Sequence, residues 1–348
     1  MSDTIAAPAP GMGEIDSEVV LTVDNLTVKY PVRGANGRPR GTVHAVTDVS
    51  FELLKGETYG IVGESGCGKT TLGKTLLGLV KPVSGTAQFG GHDLFALSPA
   101  ELRKVHREIQ MVFQDPYSSL NPRRRVGSTL TESLKIQGVP GAAARRDLAM
   151  RILARMGFST EHYYRFPHEF SGGQLQRIGI ARALIGEPRL VVCDEPVSAL
   201  DVSIQSQILN LLNDLQEELA LSLIFISHDL GVVKHVAHRV GVMYLGEIVE
   251  EASSDQLFSN PLHPYTRMLL SAIPVPDPTV RLEHTAVTGE IPSPLNPPSG
   301  CKFRTRCPMA MEVCAAEHPA PRLVEMGHKV ACHLYTDAEF LPEPSHRP

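Results

Sequence analysis

The chain has 348 residues, 42% of them hydrophobic and 5% aromatic with no tryptophan, which is enough for one large folded unit plus an appendage. A formal charge of −5 argues against a broad electropositive surface for nucleic acid, because phosphate neutralisation supplies most of such binding. No apolar run approaches the roughly 20 residues that span a bilayer, so the chain does not form a membrane pathway by itself.

Met1 to Glu18 is rich in Ala, Pro and Gly and lacks the basic start and apolar stretch of a secretory signal, so residues 1–18 read as a flexible lead-in to a cytosolic protein. Val19–Val23, Thr27–Tyr30 and His44–Leu53 read as strands, broken by the Gly/Pro/Arg stretch Pro31–Gly41, which reads as a loop. Thr58–Val62 is a short apolar strand that runs into a glycine-rich loop and then a helical pattern over Thr71–Leu79. Ser98 with Glu101 forms a capping-box pattern, and Ile109–Phe113 is an apolar strand with Gln114 at its end. From Asp115 the pattern turns helical, clearest over Val126–Gln137 and Ala142–Met156, and an inserted helical subdomain is expected over about residues 115–185.

Alternation then resumes: helix Gly173–Ile185, strand Leu190–Cys193, helix Ser203–Leu219, strand Leu223–Ser227 and helix Leu230–Ala237, which predicts parallel strands with crossover helices. Val240–Tyr244 and Glu247–Glu251 flank Leu245-Gly246 as a hairpin, and Tyr265–Ile273 reads as a helix closing a core of residues 19–273. Residues 274–299 form a proline-rich linker, with seven prolines between Pro274 and Pro298. Residues 300–335 hold four of the six cysteines, and residues 336–348 form a tail.

Gly63-Glu64-Ser65-Gly66-Cys67-Gly68-Lys69-Thr70, leading into Thr71, satisfies the P-loop pattern in the strand-to-helix context it needs. Glycines let the loop wrap phosphates, backbone N–H groups and the helix N-terminus attract negative charge, Lys69 reaches the terminal phosphates and Thr70 supplies a Mg²⁺ ligand. Leu190–Cys193 delivers Asp194 and Glu195 at the carboxyl end of a strand, where open α/β sheets place their ligands. In that setting Asp194 would help hold Mg²⁺, and Glu195 would act as general base toward water.

Ser171-Gly172-Gly173-Gln174 before a helix resembles the signature of ABC ATPases, and in that family such a segment serves the nucleotide bound by the opposite subunit. Other positions match in the family's order, over roughly Val19 to Ala272. Tyr30 resembles the aromatic that stacks on adenine and Gln114 the Mg²⁺- and water-sensing glutamine. Ser198-Ala199-Leu200-Asp201 resembles the inter-subunit loop, and His228 the switch histidine. The resemblance implies a P-loop α/β core with a helical subdomain and an antiparallel β-subdomain, two such subunits sandwiching MgATP. The runs Phe113–Pro122, Asn260–Thr266 with Leu269–Pro274, and Gly300-Cys301 are similar to ATP-binding subunits of oligopeptide and dipeptide importers. That narrower resemblance implies a related ATP-binding partner, two membrane permease subunits, an extracytoplasmic solute-binding protein and a peripheral place on the cytoplasmic face of the inner membrane. Di- or oligopeptides are the implied cargo, with nickel complexes or other small solutes as the alternative.

A soluble ABC ATPase acting on nucleic acid or ribosomes is the rival of a different class; a single motif set, no long coiled-coil insertion and no strongly basic face count against it. Glu195 and His228 count against a module that holds ATP without turnover. Arg123-Arg124-Arg125 reads either as a surface for a membrane subunit or anionic lipid, or as a solvated charge run. Cys67 and Cys193 read as packing residues inside nucleotide motifs. Cys301, Cys307, Cys314 and Cys332 suit a [4Fe–4S] cluster or zinc, with unligated thiols as a further alternative, and the similar family extension implies the cluster. A segment of this size builds little core of its own, so a small C-terminal cysteine module stapled by that cluster is expected.

Overall fold

The computed structural model describes residues 16–33, 39–273 and 290–335. Most of the N-terminal lead-in, the tip of the Pro31–Gly41 stretch, residues 274–289 of the linker and the tail lie outside the described residues. The expected strands Val19–Val23 and Thr27–Tyr30 are one strand, β1 (Asp16–Arg33), interrupted by a register shift between Val23 and Leu26, where Asn25 takes a φ of 48°. It pairs antiparallel with β2 (Pro39–Lys55), and the ladder extends to Arg33 and Pro39, into the stretch expected to be loop. Val23, Val28 and Tyr30 face Phe51, Val46 and Val43 across this ribbon, and such cross-strand pairing outweighs the turn propensity of Pro31 and Gly41.

The buried strand β3 (Thr58–Val62) precedes helix α1 (Lys69–Leu76), and β4 (Ser84–Phe89) with β5 (His92–Asp93) completes a four-stranded sheet of order β2-β1-β4-β5. Helix α2 (Pro99–Val105) carries the expected capping box: Ser98 Oγ accepts from the Glu101 N–H, while the Glu101 carboxylate accepts from the Ser98 N–H at 2.9 Å. After β6 (Ile109–Val112) come the helices α3 (Pro116–Ser119), α4 (Val126–Ile136), α5 (Ala142–Arg155) and α6 (Gly172–Leu184), with two 3₁₀ turns between the last pair. The alternation continues with β7 (Leu190–Asp194), α7 (Val202–Leu219), β8 (Ser222–Ser227) and α8 (Leu230–Val236).

A hairpin of β9 (Arg239–Tyr244) and β10 (Glu247–Ser253) turns at Leu245 and Gly246, both with positive φ, and α9 (Ser254–Ser259) and α10 (Pro264–Ser271) follow. The chain then forms α11 (Val313–Ala316), β11 (Arg322–Glu325) and β12 (His328–Val330).

The second sheet has eight strands in the order β11-β12-β10-β9-β3-β8-β7-β6; its β9-β3-β8-β7-β6 part is parallel. Alternate residues of its inner strands feed different cores. Leu190 and Val192 face the core shared with the antiparallel sheet, whereas Val191 and Cys193 face the helical side. Burial on both faces explains why these strands read as continuous apolar runs.

β12 pairs with β10 through Glu250–Val330 and Glu251–Lys329, so the cysteine-bearing segment extends the main sheet. Phe303 from this segment is buried and packs edge-on against Tyr244 at 5.2 Å and tilted on Tyr265 at 5.4 Å. A buried polar hub adds to the docking. Glu250 accepts from the N–H groups of Leu262 and His263 and from His328 Nε2 at 2.8 Å.

Candidate active site

Two loops at the carboxyl ends of β3 and β7 meet across β8, which lies between those strands. In the first, residues 63–68, the two end glycines leave no room for a side chain. A Cβ on Gly63 would sit 2.1 Å from the Met243 carbonyl oxygen, and one on Gly68 2.0 Å from that of Ala45, while Gly68 also needs a φ of 112°. Lys69 opens α1, is buried, and donates from Nζ to the carbonyls of Gly63 at 2.7 Å and Glu64 at 3.1 Å. Thr70 Oγ1 donates to Asp194 Oδ1 at 2.9 Å, joining the loop to β7. Burial pushes the Asp194 carboxyl above the usual carboxylate range, although the Thr70 hydrogen bond pulls the other way.

Glu195 lies just past β7 with a φ of 46°, a conformation uncommon for a residue with a side chain and typical of strained functional positions. The conformation is held by its N–H, which donates to Ile226 O at 2.9 Å. Its two carboxylate oxygens are separately engaged. Oε2 accepts from Gln114 Nε2 at 2.8 Å, and Oε1 lies 3.2 Å from His228 Nδ1. The three residues come from the ends of β6, β7 and β8.

A cavity of about 490 Å³ lies beside this arrangement, and Ser65, Gly66, Gly68, Lys69, Thr70 and Thr71 line its phosphate-loop side. Glu195 and Gln114 form another wall, and Tyr30, 38% exposed, stands at the β1 side. A second cavity of about 510 Å³ adjoins it at Ser65, Gln114 and Glu195 and reaches His228, Gly172, Ser198, Ala199 and Leu200. Glu64 and Cys67 face away from the first cavity's lining: Glu64 is engaged by other side chains, and Cys67 is buried with its Sγ 3.8 Å from Lys69 Nζ.

Within the Ser171-Gly172-Gly173-Gln174 segment, Gly172 lines the second cavity, to which Ser65 of the phosphate loop also contributes, whereas none of the four lines the first. Ser171 caps α6, accepting from the Gln174 N–H while the Gln174 side chain accepts from the Ser171 N–H at 3.0 Å, and both residues are exposed. Gly173 is required where α6 meets α7, since a Cβ there would lie 2.4 Å from Ile204 Cγ2. Ser198 and Ala199 are exposed, Ser198 Oγ donates to Glu195 O at 3.1 Å, and Asp201 caps α7. Of the arginine run, Arg124 pairs with Glu132 of α4 and Arg125 lies over the Phe166 ring.

The cysteine expectation is corrected. Among the described residues no group of three or more His, Cys, Asp or Glu side chains is arranged to hold a metal ion, so Cys301, Cys307, Cys314 and Cys332 supply neither the expected [4Fe–4S] site nor the zinc alternative. Cys314 is buried, and Cys301 and Cys307 pack against the apolar core. Burial pushes the Cys301 and Cys332 thiols up to about 11. The size problem that suggested a metal staple is met by sheet pairing and by Phe303 entering the main core.

Three contributions carried no motif. Pro294 lines the nucleotide-sized cavity, its carbonyl accepting from the His44 N–H at 3.1 Å; Tyr265 Oη accepts from the Glu64 N–H at 2.9 Å; and Arg306 holds the Glu64 carboxylate. A proline in a proline-rich stretch and an arginine among basic residues give no local signal of such long-range contacts.

A P-loop strand-turn-helix, a carboxylate braced at the end of β7 and a capped glycine pair beside the adjoining cavity define a nucleoside-triphosphate hydrolase of the cassette type. Residues 46–198 match the family described as ABC transporter, and residues 249–314 match the oligopeptide/dipeptide transporter C-terminal region. The oligopeptide transport ATP-binding protein AppF of Bacillus subtilis is 50% identical over 329 residues, covering 93% of this chain and 100% of AppF. A Brucella ovis protein named for peptide import and ATP binding is 51% identical over 313 residues, covering 90% of this chain and 97% of its own. Among solved structures, the ATP-binding cassette MJ0796, a dimer in a post-hydrolysis state bound to ADP and Pi, superposes with a TM-score of 0.61 at 28% identity, covering 67% of this chain and 98% of that one. The chain belongs to the ATP-binding proteins of the ABC transporter family and is an ATP hydrolase. No helix among the described residues is long and apolar enough to cross a membrane.

Proposed function

We propose that this chain is the ATP-hydrolysing subunit of an ABC importer for di- or oligopeptides, acting from the cytoplasmic face of the inner membrane beneath two permease subunits and paired with a related ATP-binding subunit. The observation that carries the catalytic part is the bracing of Glu195 between Gln114 and His228 beside the cavity that Lys69 and Thr70 line. The cargo assignment draws support from the C-terminal region matched over residues 249–314 and from relatives named for peptide import.

In this reading Lys69 leaves its loop carbonyls to meet the terminal phosphates, and the amides of residues 63–71 cradle them. The Thr70 hydroxyl and Asp194 carboxylate already converge, a hard oxygen pair of the kind Mg²⁺ takes, and with Gln114 they would hold the ion. Bound there, Mg²⁺ neutralises phosphate charge. Glu195 accepts a proton from water as the water oxygen bonds to the γ-phosphorus and the bond to the β-phosphate oxygen breaks. Gln114 fixes one carboxylate oxygen and His228 the other, so the proton acceptor is oriented before substrate arrives. Tyr30 stacks on the base. Ser171–Gln174, with its two capping residues Ser171 and Gln174 exposed, serves the nucleotide of the partner, with Ser198–Asp201 at the same junction.

Uptake of labelled peptides by proteoliposomes containing the chain with its permeases, fed by the solute-binding protein, tests this reading; uptake should require hydrolysable ATP. Recovery of the chain from cells with ribosomes or DNA and without permease subunits would overturn it.

A further inference from the structure

The C-terminal segment touches the nucleotide site at two separate points. Pro294 supplies part of the cavity wall beside Tyr30, tied to β2 by the His44 N–H. Arg306 reaches into the phosphate loop, where its Nη1 and Nη2 donate to Glu64 Oε2 at 2.6 Å and Oε1 at 2.9 Å. The pair is well sheltered, with the Arg306 side chain only 5% exposed and that of Glu64 22%. The guanidinium also lies 5.8 Å from the Tyr244 ring centroid and 6.0 Å from that of Phe303, aromatic residues that bind the C-terminal segment to the core. Glu64 is thereby held at three groups: carboxylate by Arg306, N–H by Tyr265 Oη, and carbonyl by Lys69.

Glu64 is the second residue of a loop whose chemistry is to attract phosphate. An uncompensated carboxylate there opposes a polyanion, and in a sheltered site that opposition is weakly screened. The fork-shaped, permanently charged guanidinium is suited to cancel it while fixing the carboxylate's direction. We infer that Arg306 is a positioning residue for nucleotide binding, making ATP affinity depend on docking of the C-terminal segment by neutralising and anchoring Glu64. This rests on the reading that the phosphates occupy the 63–70 loop.

Binding of MgATP, MgADP and adenosine to the full-length chain tests it, using Arg306→Met, Arg306→Lys, Glu64→Gln/Arg306→Met and, as control for the site, Lys69→Ala. Arg306→Met should weaken MgATP about tenfold, or about 1.4 kcal/mol, MgADP less, and adenosine by under about twofold. The double variant should regain affinity to within about threefold of the unmodified chain, because the stranded carboxylate is gone; simple loss of packing predicts no such rescue. Arg306→Lys, which keeps the charge and gives up the fork, should lose about threefold.

Unchanged MgATP affinity in Arg306→Met, or a double variant as weak as Arg306→Met, overturns the inference. Unchanged affinity in Arg306→Lys does so as well, even where Arg306→Met is too unstable to assay. Loss of neither affinity in Lys69→Ala nor in Arg306→Met sinks the nucleotide-site reading itself, whereas loss in Lys69→Ala alone sinks only the role of Arg306.

Discussion

Replacing Glu195 by glutamine removes a proton acceptor while preserving nearly every contact the fold makes with that side chain. The amide oxygen can accept from Gln114 Nε2 as Glu195 Oε2 now does at 2.8 Å, and the amide nitrogen then faces His228 Nδ1, now 3.2 Å from Oε1. The backbone is anchored independently through the Ile226 carbonyl, so the φ of 46° should persist. Nucleotide binding relies on Lys69, Thr70 and the loop amides, none of which contacts the side chain of residue 195 among the hydrogen bonds described. Loss of a positioned general base lowers the rate by about 10²–10⁴-fold, equivalent to roughly 3–5 kcal/mol of barrier. Glu195→Gln should therefore bind MgATP within about threefold of the parent while phosphate release by the reconstituted transporter falls by at least about 10². Turnover within about tenfold of normal, with intact binding, would refute the general-base assignment.

Lys69→Ala should weaken MgATP binding by an order of magnitude or more in equilibrium titration, since the buried ammonium group is the loop's own cation; unchanged affinity would place the phosphates elsewhere. Ser171→Arg should leave MgATP binding by the isolated chain within about twofold and reduce hydrolysis by the assembled transporter at least about tenfold, because Ser171 is exposed and does not line the cavity beside Lys69 and Thr70. Equal loss in the isolated chain counts against a role across the dimer.

Burial depresses the His263 pKa from 6.5 to about 4, so the unfolded chain binds the proton first and stability is lost as pH falls from 6.5 toward 4. At about 1.4 kcal/mol per unit the loss reaches about 3 kcal/mol. Denaturant titrations of the parent and His263→Asn at pH 7.5 and 5 should show a smaller acid loss in the variant, and equal losses would contradict the account.

The local chemistry was legible because it is written in contiguous residues. A glycine loop between an apolar strand and a helix has few physical alternatives, and Gly63 and Gly68 prove indispensable where they face the carbonyls of Met243 and Ala45. Buried parallel strands such as Leu190–Asp194 are apolar on both faces, so they announced themselves, as did the Leu245–Gly246 hairpin. The continuity of β1 and β2 was harder to read, since Asn25 and Pro31 carry turn propensity that only cross-strand pairing overrides.

The C-terminal segment was misread for a related reason. Taken alone, four cysteines in a short stretch suggest a metal staple; folded, the segment gains its stability from the sheet edge at β10 and from the rings of Tyr244 and Tyr265, all distant in sequence. Sequence by itself determined the nucleotide chemistry, because phosphate-binding geometry is encoded within single turns. Tertiary structure decided which distant side chains complete it: Tyr265 and Arg306 meet Glu64 because β10 accepts β12 and Phe303 fills the adjoining core, and such contacts depend on three-dimensional proximity that carries no local sequence periodicity.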